Sequence, residues 1–349
     1  MKNKPKYLVN GFQFVYDVFV KTDNTYDYEF LFPKFSRWDF ITNYLLMRKY
    51  IKADKLKQYK IIHINCWENT LQYNPKKKYP SQITIAEAHG FYVGVNFDAT
   101  ICELPVEKRF PNKIIKLLFN RKMRRRLQEY DIFYISTPNM LEHAKKIRSD
   151  ALWLPNPINT SIFNPNGPKV KLEGNPAIFL PTRLHTFKNP LFGINIFKKI
   201  KSKYPKAKLH MINYGRGADP LFNAFKKLVN QKDVVYHNRM PIVELAKYYR
   251  SADLILGQFN LVYANFSMVE LETMACGAPI VTLDKYEIKN EFSNLENLEK
   301  LAFKILENKR FTKQFVKRNL DYVLKTHSER AVVKMNLKNI EKVKKNLGN

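Results

Sequence analysis

The sequence has 349 residues, 45% of them apolar and 14% aromatic, with a net charge of +29. That is enough chain for two domains with real cores, and the apolar content excludes a disordered protein. No apolar run reaches the roughly 18 residues of a membrane-spanning helix, and the N-terminus MKNKPKYLVNGF shows no signal-peptide pattern.

Cys66, Cys102 and Cys276 are widely spaced with no CxxC, which argues against a disulfide framework and a zinc site and predicts a cytoplasmic protein. The charge is spread along the chain: residues 1–150 carry 27 Lys+Arg against 15 Asp+Glu, and the remainder 33 against 16. The total therefore marks no single nucleic-acid or membrane face, and local clusters have to decide.

In chain order, KYLVNG (6–11) predicts a first strand, and residues 35–50 have helical spacing. YKIIHIN (59–65), ITIAEAHG (83–90) and DIFYIS (131–136) predict further strands. A helix over about 138–148 and a short strand at 151–154 follow. Asp27-Tyr28-Glu29 is the nearest approach to D-x-D and is read as part of an acidic-polar loop. Residues 156–175 (NPINTSIFNPNGPKVKLEGN) break every periodic pattern and are the best linker candidate. The alternation then restarts with strands at 177–181, 208–213, 234–237 and 253–256. Helices lie between them at about 189–203, 220–230 and 243–250. Three closing helices are expected at 296–307, 311–323 and 329–345. Strands alternating with helices predict α/β with parallel sheets. The expected domains are 1–158, 159–328 and a closing helix 329–349 that packs back on the first.

The stretch SADLILGQFNLVYANFSMVELETMACGAPIVTLD (251–284) reads as strand, loop, helix and strand. Ser267 and Glu270 stand in capping-box spacing, so Glu270 is read as structural, and Gly277 is placed to close the helix. The helix N-terminus offers unpaired N–H groups and a positive dipole end, which suit a phosphate.

Several motifs occur in order: LPNPINTSIFNP, PTRLHTFKNP, MINYGRG, YYRSADLIL and VELETMACGAPIV. Through them residues 150–330 resemble the retaining glycosyltransferases of GT-B architecture known as family 4. The first domain is similar only in outline, through IIHIN, AEAHG and ISTPNMLEHAKK. The resemblance implies two Rossmann-like domains across a cleft, and a nucleotide-sugar donor held by the second. It also implies a glycan or lipid-linked acceptor held by the first, retention, and no metal or other cofactor.

By position in these motifs, Arg183 and Lys188 would stabilise the departing diphosphate, whose growing charge needs fixed cations. Glu272 matches the second glutamate of the family's E-x7-E and would accept hydrogen bonds from the ribose. Phe266, Ser267 and Met268 would lie beside the donor at the helix start, with Gly215 near the nucleotide and Met240 near the base. His89, in AEAHG, would line the sugar site. Ala264 stands where the family places its first glutamate, and Ser267 where it has glycine. Asn265 and Gln258 are the nearest polar groups that could hold a sugar hydroxyl instead. Ala264 also keeps open a GT-B protein that binds without transferring.

Residues 113–127 (KIIKLLFNRKMRRRL) carry seven Lys/Arg and no acid, interleaved with apolar residues. Lys113, Lys116, Arg121, Arg124 and Arg125 would suit peripheral contact with an anionic membrane or its lipid-linked acceptor. No RNA-binding, Walker A, zinc or nucleophile-elbow motif is present, so the nucleic-acid reading rests on charge alone.

Overall fold

A computed structural model describes residues 4–10, 13–31, 56–65, 81–88, 121, 124–182, 184, 188–212, 220–260, 266–288, 292 and 294–347. The chain divides into two compact units, Met1–Pro157 with Glu329–Asn349, and Ile158–Ser328.

In the first unit the elements are β1 (Lys6–Asn10), α1 (Gln13–Thr22), β2 (Asp27–Leu31), β3 (Tyr59–Asn65), β4 (Ile83–Ala88), β5 (Ile132–Ile135), α2 (Leu141–Ile147) and β6 (Leu152–Trp153). The strands form one sheet in the order β2-β1-β3-β4-β5-β6, and every pairing is parallel. The central strands β4 and β5 are buried at every position, because both faces of the sheet are covered. Leu8, Ile62, Ala86 and Phe133 pack on one face, and Tyr7, Val9, Ile61, Ile85 and Tyr134 on the other. The second face is sealed by α9 (Glu329–Leu347), the last helix of the chain, through Val332, Val333 and Ile340.

Asp27–Leu31 corrects one expectation, since this segment is a strand and not a loop. It forms the sheet edge, where polar side chains on the outer face are tolerated. Tyr28 is buried on one side, while Glu29 accepts hydrogen bonds from Lys6 and Tyr59 on the other. The helix expected at 35–50 lies outside the described residues.

The second unit contains β7 (Ala177–Leu180), α3 (Pro190–Lys203), β8 (Lys208–Ile212), α4 (Pro220–Leu228), β9 (Val234–His237), α5 (Ile242–Ser251), β10 (Leu254–Leu256), α6 (Met268–Ala275), β11 (Ile280–Val281), α7 (Leu295–Glu307) and α8 (Lys309–Thr326). Its sheet order is β11-β10-β7-β8-β9, again with every pairing parallel. One continuous core joins the sheet to its helices. The strand order reverses between β7 and β10, and ligands of such sheets bind outside the strand ends at that point.

The breaker-rich segment expected as a linker is packed on this unit from Ile158 onward. Ile158 and Phe163 are buried, and the Arg250 guanidinium donates to the carbonyls of Ile162, Asn164 and Pro168. At Gly167 a Cβ would lie 2.7 Å from the Arg250 guanidinium carbon, so a side chain there would have to displace the guanidinium. A segment without regular structure is thus held by one arginine satisfying three carbonyls.

Candidate active site

The loops after β7 and β10 meet at the reversal point of the second sheet. The Lys188 ammonium donates to Oε1 of Gln258 at 2.8 Å, joining residues far apart in sequence. Backbone contacts fix the two loops together. The Phe259 N–H donates to the Lys188 carbonyl at 2.9 Å, and the Asn189 amide donates to the Phe259 carbonyl at 3.2 Å. Asn189 has φ 43°, a left-handed conformation that asparagine tolerates better than most residues. Pro190 follows at the first turn of α3, where its missing N–H costs nothing.

Behind Gln258 lies Glu270, which is fully buried. Ser267 and Glu270 form the capping box read from their spacing. The Glu270 carboxylate accepts the Ser267 N–H at 2.7 Å and also its hydroxyl. Its other oxygen accepts the Gln258 N–H at 2.9 Å, so one carboxylate ties the N-terminus of α6 to the end of β10. Thr282 completes the tie: its hydroxyl donates to the Gln258 carbonyl at 3.0 Å and accepts the Gln258 N–H at 3.2 Å. Gly257 is required here, since a Cβ would come within 2.7 Å of both Glu270 Oε1 and Thr282 Oγ1.

Glu272, one turn into α6, is partly exposed. Tyr249 of α5 donates its hydroxyl to Glu272 Oε2 at 3.1 Å. The tyrosine is itself buried, with its ring against Phe163 and Phe179 at centroid distances of 6.2 and 5.9 Å. Burial pushes the Glu272 carboxyl up to about 7, with Glu270 adding to the rise and Tyr249 opposing it. Burial likewise pushes the nearby Cys276 thiol up to about 12, far from thiolate chemistry at neutral pH.

Of the other residues singled out from sequence, Phe266 is buried in the core, edge-on to Phe292, so only its backbone can face a ligand. Met268 and Met240 are partly buried against the same core. Arg121, Arg124 and Arg125 are exposed. Arg183, His89, Gly215, Ala264, Asn265, Lys113 and Lys116 lie outside the described residues.

Sequence reasoning missed Tyr249, Thr282 and a histidine pair on neighbouring strands. His210 of β8 and His237 of β9 stack with planes 9° apart, and His210 Nδ1 is 2.9 Å from His237 Nε2. His210 Nε2 lies 2.8 Å from the Glu173 carbonyl and donates to it, so His237 supplies the proton between the rings. Burial lowers both below the usual histidine range. No local motif marks this pair, because only the β8–β9 register brings the rings together.

Among the described residues no group of three or more His, Cys, Asp or Glu could hold a metal. None of the described helices is long and apolar enough to cross a membrane.

Two parallel α/β units, with a cation and a capped helix N-terminus at the reversal point of the second sheet, define a GT-B architecture. Solved structures agree. Sucrose-phosphate synthase from Thermosynechococcus elongatus superposes with a TM-score of 0.70 at 14% identity, covering 98% of this chain and 99% of that one. A glycosyltransferase from Rickettsia africae gives 0.63 at 14% identity, covering 98% and 99%. Anabaena Alr3699/HepE, solved with UDP and glucose, gives 0.64 at 10% identity, covering 97% and 100%. A search of curated proteins finds no match.

Residues 166–321 match the family model of glycosyl transferases group 1. The family match thus lies within the second unit, and the solved structures show that the chain has the GT-B fold.

Proposed function

We propose that this protein transfers a sugar from a nucleotide-sugar donor to a glycan or lipid-linked acceptor, with retention and without a metal ion. The observation that carries the reading is the Lys188 ammonium, seated on Gln258 at 2.8 Å at the sheet reversal point. It is braced against the start of α6, so a fixed cation and a helix N-terminus flank one place. That combination suits a diphosphate, whose charge grows as it leaves the sugar. Arg183, five residues earlier, adds a guanidinium fork.

Glu272 accepts the ribose hydroxyls, a task that requires its ionised form. Met240 offers its backbone beside the base, and His89 of the first unit lines the sugar site. The first unit takes the acceptor. The exposed Arg121, Arg124 and Arg125 support contact with an anionic surface carrying a lipid-linked acceptor.

A second reading, a GT-B protein that binds a nucleotide sugar without transferring it, is favoured by one observation: Ala264 stands where a carboxylate would approach the sugar.

One experiment separates the two. Purified protein is assayed for donor hydrolysis and transfer over UDP-, GDP- and ADP-sugars, alongside Lys188→Ala. Loss of a fixed charge that acts mainly in the transition state is expected to lower turnover about 100-fold, with nucleotide affinity falling about tenfold or less. Unchanged turnover in the variant would refute the role of Lys188. Binding without turnover in the wild type would establish the second reading.

A further inference from the structure

Gln258 has the geometry of a group that sets the position of another group. Its backbone is held on both sides of the strand end: the N–H by Glu270 Oε1 and Thr282 Oγ1, the carbonyl by the Thr282 hydroxyl and by the Leu283 N–H at 2.8 Å. The residue is almost fully buried, at 3% exposure, and its amide oxygen lies 2.8 Å from the Lys188 ammonium. Lysine carries a flexible four-carbon stem with many rotamers, so an ammonium is poorly placed unless something fixes it.

The chemistry of the partner matters as much as its position. An amide oxygen accepts a hydrogen bond from an ammonium without cancelling its charge, whereas a carboxylate in the same place would neutralise it. The acceptor is also tied, through one buried carboxylate, to the N-terminus of α6. Glu270 holds Ser267 with one oxygen and Gln258 with the other. The two features suited to phosphate oxygens, the lysine and the helix start, are thereby held in fixed register.

We infer that Gln258 is a positioning residue that aims the Lys188 ammonium at the diphosphate of the donor, with Glu270 locking that aim to the N-terminus of α6. This departs from the role the sequence indicates for Gln258, a contact to a sugar hydroxyl. It rests on the reading that Lys188 meets the diphosphate.

The test is a double-variant cycle on the full chain, with UDP, GDP and ADP as probes and affinity measured by calorimetry. Gln258→Met keeps the volume and removes the acceptor. Affinity for the tightest-binding of the three is expected to fall about fivefold to tenfold, within the range for losing one typical hydrogen bond. Lys188→Ala should lose a comparable amount, and the pair Lys188→Ala with Gln258→Met no more than Lys188→Ala alone.

Gln258→Glu, which keeps shape and acceptor but cancels the charge, should lose at least as much as Gln258→Met. Additive losses, or wild-type affinity in both Gln258 variants, would overturn the inference while leaving Lys188 intact. No effect of Lys188→Ala on any of the three diphosphates would instead overturn the reading on which it rests.

Discussion

The two units are built from the same parallel-sheet grammar, yet they use their interiors differently. In the second unit one core runs continuously through sheet and helices, and Lys188, Gln258 and Glu270 form a linked polar group at the strand ends, with Glu272 on the same helix as Glu270. In the first unit the core is split by the sheet into two clusters, one of which is covered by α1 and by α9 from the far end of the chain.

A buried polar string crosses that seam. Asn336 of α9 donates to the Tyr7 hydroxyl at 3.1 Å, Tyr7 meets His63 at 3.1 Å, and His63 lies 2.9 Å from the Glu87 carboxylate. Such groups are costly to bury without partners. The string therefore specifies where the last helix must sit. The second unit spends its polar groups on a ligand site; the first spends its own on closing itself.

The largest way to break this contrast is to remove residues 329–349. Val332, Val333 and Ile340 each contribute about 1.5–3 kcal/mol of burial, and Asn336 completes the polar string. Proteolysis of the shortened chain is expected to degrade residues 1–157 while leaving 158–328 protected. Protection of both units would show that α9 is dispensable.

Within the second unit, Gly257→Ala forces a methyl against Glu270 and Thr282 at 2.7 Å. It should cost about 2–4 kcal/mol in denaturant unfolding and weaken nucleotide binding as well. A fully stable variant would mean that the tie between β10 and α6 is loose.

A smaller effect is expected from Glu272. Its folded-state carboxyl titrates at about 7 against an ordinary 4.5, so the folded chain holds the proton more readily than the unfolded one. Stability then falls as pH rises from about 4.5 through 7, which is the reverse of the usual carboxylate. Glu272→Gln should be more stable than the wild type at pH 8 by on the order of 1 kcal/mol, allowing for solvent screening of a partly exposed group, and no different at pH 4. Nucleotide affinity in the wild type should rise through pH 7 as the carboxylate forms. Equal unfolding curves at pH 8 would remove the basis for this behaviour.

Much of the architecture was legible in the sequence. Strands such as AIFL (177–180) are unbroken apolar runs, because a parallel sheet with both faces covered needs no alternation. The start of α6 was legible because a capping box is local chemistry. Asp27–Leu31 was misread because an edge strand carries acids on its open side, which reads as loop. The residues missed at the site share one property: their partners come from distant strands and helices. Tyr249 finds Glu272, Thr282 finds Gln258, and His210 finds His237 only after the sheet has formed. For the same reason Gln258 reads from sequence as a polar group at a strand end, whereas in the fold it holds the lysine.

The measurement that bears most directly on the central claim is a hydrogen-exchange footprint of the full chain with and without UDP, GDP or ADP. Protection is predicted at the Lys188 loop, residues 257–260 and the first turn of α6 around 266–270, concentrated in the second unit. A footprint confined to the first unit, or none with any of the three diphosphates, would contradict a nucleotide-sugar site at the reversal point of the second sheet.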